Sequence, residues 1–249
     1  WSSDVCSSDL EQISILLALE AALKTSQTAF DVASAAATQE QSLLATTFPM
    51  ARNDERPTVP LHKVSRVRLG YKVSPVHKGD RVSKKIITVA QLQDGRIDAS
   101  SAKEVTIPSA MVERYRPTPG DLLITEGGNL DQLGRGSIWQ GELEDCIFQN
   151  HVFSVSPSPE KARAEYLEGL MRSPRGREFF LRYAKRTSNL ASIDQGKVQS
   201  MPVPDVTIRD QSEWTETYRE MKAACAVTQK RATEASMFLG QLASQLLRG

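Results

Sequence analysis

Apolar residues recur along the chain in two textures, one at both ends and another between them. Over Glu11–Phe48 the sequence is rich in Ala, Leu, Gln and Glu and has no Gly or Pro, the make-up of a strong helix former. Leu16, Leu19, Leu23, Phe30, Ala33, Ala37 and Leu44 fall on an alternating three–four spacing. That spacing predicts one stripe along a helix of roughly ten turns. Pro49 ends it, having no amide hydrogen to continue the ladder. The same spacing returns from about Ile208 to Leu247, through Trp214, Tyr218, Met221, Cys225, Thr228, Ala232, Ala235, Leu239, Leu242 and Leu246. A repeat of 3.5 residues held over about five heptads marks a coiled-coil seam rather than a helix resting on a globular core. Two such helices at opposite ends of one domain can pack antiparallel, with Leu16, Leu19, Leu23, Phe30, Trp214, Met221, Leu239 and Leu242 in the seam. Ala33, Ala37, Ala232 and Ala235 would let them approach closely. Each helix could instead pair with a different chain or with a missing part of this one.

Between the helices the pattern changes. Arg52–Pro57 is a charged linker. Short runs with β-branched residues follow: Val64–Leu69, Lys85–Ala90, Glu104–Ile107, Asp121–Thr125, Gly136–Trp139 and Cys146–Val155. Asp94-Gly95, Pro119-Gly120, Gly127-Gly128-Asn129, Pro157 and Pro159 punctuate them. Glu160–Met171 and Arg175–Arg186 read as helices, and Pro202 and Pro204 break structure before the last one. The prediction is an α+β chain: a compact mixed α/β domain over 57–205 with a mostly antiparallel sheet. It lies between a helix at 11–50 and an antiparallel partner helix at 206–249. Trp1–Leu10 has no initiating Met and looks like adapter read-through, so residues 1–10 are expected to lie outside the natural protein, with natural sequence lost before Glu11.

Composition narrows the chemistry. With 249 residues, 40% hydrophobic and 24% charged, the chain suits a folded core, but a net charge of +1 gives no global basic field. A nucleic-acid partner would have to be met by local patches. Cys6, Cys146 and Cys225 are far apart and form no CxxC pair. That argues against a zinc knuckle or a disulfide framework and fits a reducing cytoplasm. His62, His77 and His151 share no ligand spacing, so no metal site is expected. No apolar run approaches the roughly 20 residues of a membrane span.

Two stretches carry candidate chemistry. Pro119–Ile138 reads as a buried strand entering a Gly-rich loop and leaving on a second strand, with Asn129, Gln132 and Arg135 as polar tips. It lacks the GxxxxGK[ST] pattern of a phosphate loop; an ordinary long hairpin fits the same residues. Thr187–Pro204 sets Ser188, Asn189, Ser192 and Gln195 beside Lys197. These side-chain types read base edges or hold phosphates, although a helix-capping loop has the same composition.

The blocks GDLLITEGGNLDQLGRGSI (Gly120–Ile138), CIFQNHVFSV (Cys146–Val155) and NLASIDQGKVQSMPVP (Asn189–Pro204), followed by a terminal heptad helix, resemble the specificity subunits of type I restriction-modification systems. The resemblance covers Glu11 to Gly249 and matches the order of helix, recognition domain and helix. It implies the C-terminal half of a subunit that carries two target-recognition domains, each reading half of a split site in double-stranded DNA. A half-length subunit that dimerises through its helices is the other possibility. The helices, by resemblance, act as a spacer ruler. They also dock methyltransferase (modification) subunits and, through them, the restriction subunit. No cofactor is expected on this chain, since S-adenosylmethionine and ATP belong to the partner subunits.

The resemblance gives the basic runs a role. Lys63, Arg66, Arg68, Lys72, Lys78, Arg81, Lys84 and Lys85 oppose only Asp80, and Arg172, Arg175, Arg177, Arg182, Lys185 and Arg186 oppose only Glu178. The expectation is that Lys63, Arg66, Arg68, Lys72, Lys84 and Lys85 meet DNA phosphates. Asn129, Gln132, Arg135, Ser188, Asn189, Gln195 and Lys197 would supply base contacts. Catalysis is not expected: GxSxG, HExxH, P-loop and Rossmann patterns are absent, as is the acidic-Pro-Pro-aromatic motif of methyltransferases. Asp210, Glu213 and Glu216 sit on the heptad helix, where charges are expected in solvent. The rival class is a coiled-coil scaffold with an embedded β domain and no DNA role.

Overall fold

Runs of straight-chain residues become helices and β-branched runs become strands, in a computed structural model that describes residues 3–47, 56–73, 79–187 and 190–246. In chain order the helices are α1 (Ser3–Thr47), α2 (Val112–Tyr115), α3 (Ala164–Arg172), α4 (Pro174–Tyr183), α5 (Gln195–Gln199) and α6 (Ile208–Leu246). The first strands are β1 (Thr58–Pro60), β2 (Ser65–Leu69), β3 (Arg81–Ile87), β4 (Leu92–Gln93), β5 (Arg96–Ile97), β6 (Lys103–Pro108) and β7 (Leu122–Thr125). They are followed by β8 (Gly127–Gly128), β9 (Gly136–Ile138), β10 (Cys146–Phe148), β11 (Val152–Pro157), β12 (Lys185–Arg186), β13 (Ala191–Ser192) and β14 (Pro202–Pro204). The chain divides into two compact units, Trp1–Ser42 with Glu220–Gly249, and Leu43–Arg219. Pro49, His77 and Lys78 lie outside the described residues. Among the described residues no helix is long and apolar enough to cross a membrane.

The helical unit is an antiparallel pair. Ser26 Oγ lies 3.5 Å from Ser236 Oγ, and the Cys225 thiol donates to Ala36 O at 3.3 Å. A thiol that reaches a backbone carbonyl of the facing helix requires closely spaced axes, and the middle of the seam is accordingly made of small residues. On α6 it runs through Met221, Cys225, Thr228, Ala232, Ala235, Leu239 and Leu242, as the heptads predict. On α1 it runs through Ile15, Leu19, Ala22, Ser26, Ala29, Ala33, Ala36 and Glu40. Leu19 and Ala33 of the expected stripe lie in this seam, while Leu16, Leu23, Phe30 and Ala37 give way to Ile15, Ala22, Ala29 and Ala36 one position earlier. Leu16, Leu23 and Phe30 are 63%, 56% and 62% exposed and flank the seam rather than fill it. Alanine and serine at the contact allow close dispersion contact along the backbones, whereas Leu and Phe there would hold the axes apart. The residues set aside on sequence, from Ser3 to Leu10, continue α1, since extending an existing helix adds one hydrogen bond per residue fixed.

The other unit is built on a four-stranded antiparallel sheet, β2-β11-β7-β9, and a three-stranded sheet, β10-β3-β6, in which only β10 and β3 run parallel. Neighbouring residues on β3 and β10 point to opposite faces and so serve two cores. Ile87, Cys146 and Phe148 join Leu92, Leu123, Trp139 and Val152, whereas Ile86 and Ile147 join Tyr71, Ile107 and Val112. Each large apolar side chain fully buried in this way contributes about 1.5–3 kcal/mol. The first turns of α6 belong to this unit: Trp214 stacks on Tyr166 at 5.8 Å, so it is a docking residue here and not part of the helix seam. Gln211 fixes the same end, donating to Lys161 O at 2.9 Å and accepting from Arg163 N at 2.8 Å.

Several boundaries differ from the sequence expectation. Cys146–Val155 is two strands, because the chain turns at Gln149–His151, with Val152 N bonded to Gln149 O at 2.8 Å. The strand expected at Lys85–Ala90 lies at Arg81–Ile87 and gives way to a single 3₁₀ turn, Val89–Gln91, boxed by Thr88 and Gln91. The helix expected from Glu160 starts at Ala164 after a turn on Ser158 O.

Candidate nucleic-acid interface

The Gly-rich stretch is a folded loop held from inside. Thr125, fully buried at the end of β7, donates through Oγ1 to Gln132 O and accepts from Arg135 N at 3.1 Å. Thr125 N donates to Arg135 O at 2.9 Å, and Gly134 N donates back to Thr125 O at 3.1 Å. Two glycines are required by space. A Cβ on Gly136 would lie 1.8 Å from Leu123 O, and one on Gly134, whose φ is +68°, would lie 2.4 Å from the Phe180 ring. Asn129 is exposed at the tip. Gln132 is half-buried, and its Oε1 accepts from Asn129 N at 3.4 Å, so it shapes the tip as much as it presents it. Arg135 is half-buried, with its Nε enclosed and unpartnered among the described residues.

The second polar stretch is brought to the first. β13 pairs antiparallel with β8, Ala191 opposite Gly128 and Ser192 opposite Gly127, and β12 pairs on the outer side of β13. Ile193 N donates to Glu126 O at 3.0 Å and completes the join. Asp194 then caps α5, its Oδ1 accepting from Lys197 N at 2.9 Å. That backbone N–H, and next Lys185 with its Nζ 3.4 Å away, hold the Asp194 carboxyl below the usual range. Lys197 lies exposed with Nζ 4.8 Å over the Tyr183 ring. α5 packs on β2 through Gln195, which donates to Val67 O at 3.0 Å, and His62 Nδ1 lies 3.1 Å from Gln199 O. Lys63 and Arg66, both exposed, are thereby placed next to α5. Ser188 and Asn189 lie outside the described residues.

β12 and β13 thus bring exposed Lys185 and Arg186 into the same small sheet as the loop that carries Asn129, and α5 brings exposed Lys197 beside the segment that carries Lys63 and Arg66. One neighbouring pair was missed on sequence. His151, read there as an isolated histidine, has its Nδ1 2.9 Å from Glu126 Oε2, and Glu126 N donates to His151 O at 2.8 Å. No sequence spacing announces that pair, because it depends on the pairing of β7 with β11.

Other candidates are committed elsewhere. Arg68 donates through Nη2 to Asp121 Oδ2 at 2.9 Å and to Ser154 Oγ at 3.0 Å, and through Nη1 to Arg114 O at 3.0 Å. Burial pushes its guanidinium down from the ordinary value, with Asp121 opposing that shift. It therefore neutralises a buried carboxylate and is not a phosphate contact. Lys84 is paired with Asp145, and Gln195 is spent on β2. Lys72 and Lys85 are exposed, Lys85 on the other sheet and Lys72 just beyond the bridge between Tyr71 and Gln149. In the second basic run, Arg172 is buried and donates to Tyr218 OH at 2.6 Å, while Arg177 donates to Leu133 O at 2.9 Å and pairs with Asp94. Among the described residues no group of three or more His, Cys, Asp and Glu could hold a metal ion.

No protein-family profile matches the chain. In sequence it is similar to a protein assigned as the type I restriction enzyme MjaX specificity subunit of Methanocaldococcus jannaschii, 24% identical over 135 residues, which is 54% of this chain and 32% of the relative. In fold it is similar to the HsdS subunit of Thermoanaerobacter tengcongensis, with a TM-score of 0.55 and 13% identity over 95% of this chain and 57% of that one. A chain from a type I restriction-modification system solved for its complex assembly and conformational transition superposes with a TM-score of 0.61 and 15% identity, covering 92% of this chain and 55% of that one. The type I S subunit of M. genitalium gives 0.58 and 9% identity, over 93% of this chain and 59% of that one. The chain thus spans little more than half the length of these solved subunits and less of the curated relative, and at such identities the structural likeness is one of fold.

Proposed function

We propose that this chain is a recognition piece of a type I restriction specificity subunit, reading one half of a bipartite site in duplex DNA. The observation that carries this reading is the β12-β13-β8 sheet. It joins two sequence-distant polar stretches in one sheet, with exposed Lys185 and Arg186 on its outer strand. The fold and sequence likenesses above point the same way. In this reading residues 57–205 form the target-recognition domain. Lys63, Arg66, Lys185, Arg186 and Lys197 contact phosphates, which sets affinity and register. Asn129, Arg135 and the Asn189–Ser192 stretch contact base edges, which sets sequence preference. The segments 11–50 and 206–249, which carry α1 and α6, dock methyltransferase subunits and, through them, the restriction subunit. The chain works in the cytoplasm and performs no catalysis; the cofactors belong to its partners.

Bind-and-sequence selection on random duplex DNA at moderate salt, with the chain alone and with a methyltransferase subunit, tests this reading. Enrichment of one short motif, with affinity falling steeply as salt rises, is the expected result. A coiled-coil scaffold with no DNA role would enrich nothing and would show no salt-dependent DNA binding.

A further inference from the structure

Arg177 belongs to the second basic run, yet its geometry is not that of a phosphate contact. Its side chain on α4 is only 24% exposed. Nη1 donates to Leu133 O at 2.9 Å, on the inner side of the Gly-rich loop, and Nη2 donates to the Asp94 carboxylate. Asp94 stands in the turn between β4 and β5, and the next residue, Gly95, donates its N–H to Gly136 O at 3.0 Å. The guanidinium therefore ties the back of the loop to a second turn, and that turn is itself bonded to the strand by which the loop leaves. One helical turn further on, Phe180 fills the space beside Gly134. Helix α4 is thus a platform that fixes Leu133 and Gly134 while Asn129 stays exposed at the tip.

We propose that Arg177, braced by Asp94, is a positioning residue for base readout: it holds the Gly-rich loop so that Asn129 and Arg135 meet base edges already in place. The inference rests on the DNA-recognition reading above. A planar guanidinium can serve two acceptors at fixed angles, which a lysine ammonium cannot. A loop already ordered does not have to lose that freedom at the moment of binding. Because Asp94 neutralises it, Arg177 adds little to the non-specific attraction for phosphate.

The test is the same selection run on the full chain carrying Arg177→Met, Arg177→Lys or Asp94→Asn, with Asn129→Ala marking which motif positions the loop reads. Thermal unfolding of each variant is recorded alongside. Arg177→Met should lower the preference for the selected site over random DNA by about tenfold, which is about 1.4 kcal/mol. The loss should fall on the positions that Asn129→Ala also flattens, with random-DNA affinity and its salt slope unchanged. Asp94→Asn, a mild change at a surface turn, should flatten the same positions less, and should do so even if Arg177→Met folds poorly. Arg177→Lys should restore only part of the preference. A motif of full strength in both Arg177→Met and Asp94→Asn would overturn the proposal, as would a uniform loss across all sequences. A wild-type chain that enriches no motif overturns the DNA reading itself, and this inference with it.

Discussion

Glu168→Ala offers the sharpest test of how the recognition unit is held together. Glu168 on α3 is 1% exposed. Its Oε1 accepts from Ser137 Oγ at 2.7 Å and from Ile138 N at 3.3 Å, both on β9, the strand by which the Gly-rich loop leaves. Its Oε2 accepts from Tyr218 OH at 3.2 Å, and that hydroxyl accepts from Arg172 Nη1 at 2.6 Å. Truncation leaves three interior donors without this acceptor, each costing about 1–3 kcal/mol when unsatisfied. It also removes the carboxylate to which buried Arg172 is linked through Tyr218. These losses share groups and do not add. Breaking a buried charged network of this kind costs about 3–5 kcal/mol, a large share of the roughly 5–15 kcal/mol that holds a domain folded. At about 2–4 °C per kcal/mol for a unit of this size, the melting temperature should fall by about 10 °C. Glu168→Gln retains one acceptor oxygen and should cost less, about 1–3 kcal/mol. Circular dichroism melts and urea midpoints at neutral pH measure both. A loss below about 1 kcal/mol in Glu168→Ala, the scale of an ordinary surface change, would refute this account of the network.

Three further outcomes are expected. Arg66→Ala should weaken binding to all DNA sequences alike and reduce the salt slope by about one, whereas Asn129→Ala should cost about 1–3 kcal/mol only on the selected site, as measured by salt-titrated fluorescence anisotropy. In the helical pair, Ala33→Leu should destabilise by about 1–3 kcal/mol by forcing the close seam apart, while Phe30→Ala, three residues away but outside the seam, should change the helical melt by less than about 0.5 kcal/mol. Burial pushes the Cys146 thiol from 9.0 up to about 11. The stability it contributes is therefore complete below pH 9 and is lost as pH rises from 9 towards 11. The stability difference between wild type and Cys146→Ala should shrink over that window, and Cys146 should resist thiol labelling at neutral pH.

Much of this protein is legible in its sequence because the relevant physics is local. A run of helix formers without Gly or Pro predicts the first long helix, and the three–four repeat predicts the second, with its seam from Met221 to Leu242. The β-branched runs and Gly/Pro turns predict a mixed, mostly antiparallel domain, and the Gly-rich loop between two strands is found where its residues place it. Hydrophobic size misled in the middle of α1: Leu23 and Phe30 fall on the expected column, but the facing helix takes the smaller Ala22 and Ala29 one position earlier.

Charge misled in a similar way. A run of Lys and Arg states composition and not direction, so Arg66 and Arg68 looked equivalent. They stand on one strand and on one face of its pleat, yet Arg66 lies opposite Ser156 near the open end and Arg68 lies opposite Ser154 beside buried Asp121. Only the neighbours contributed by β7 and β11 separate an exposed cation from a buried ion pair. The same holds for Arg177 and for the Glu126–His151 pair. The sequence by itself determined the long helices, the main strands, their order and the residue types available for recognition, since helix propensity, strand alternation and turn chemistry act over a few residues. The tertiary structure decided which polar side chains stay free to meet a ligand, because burial and hydrogen-bond partners are set by segments far apart in the chain.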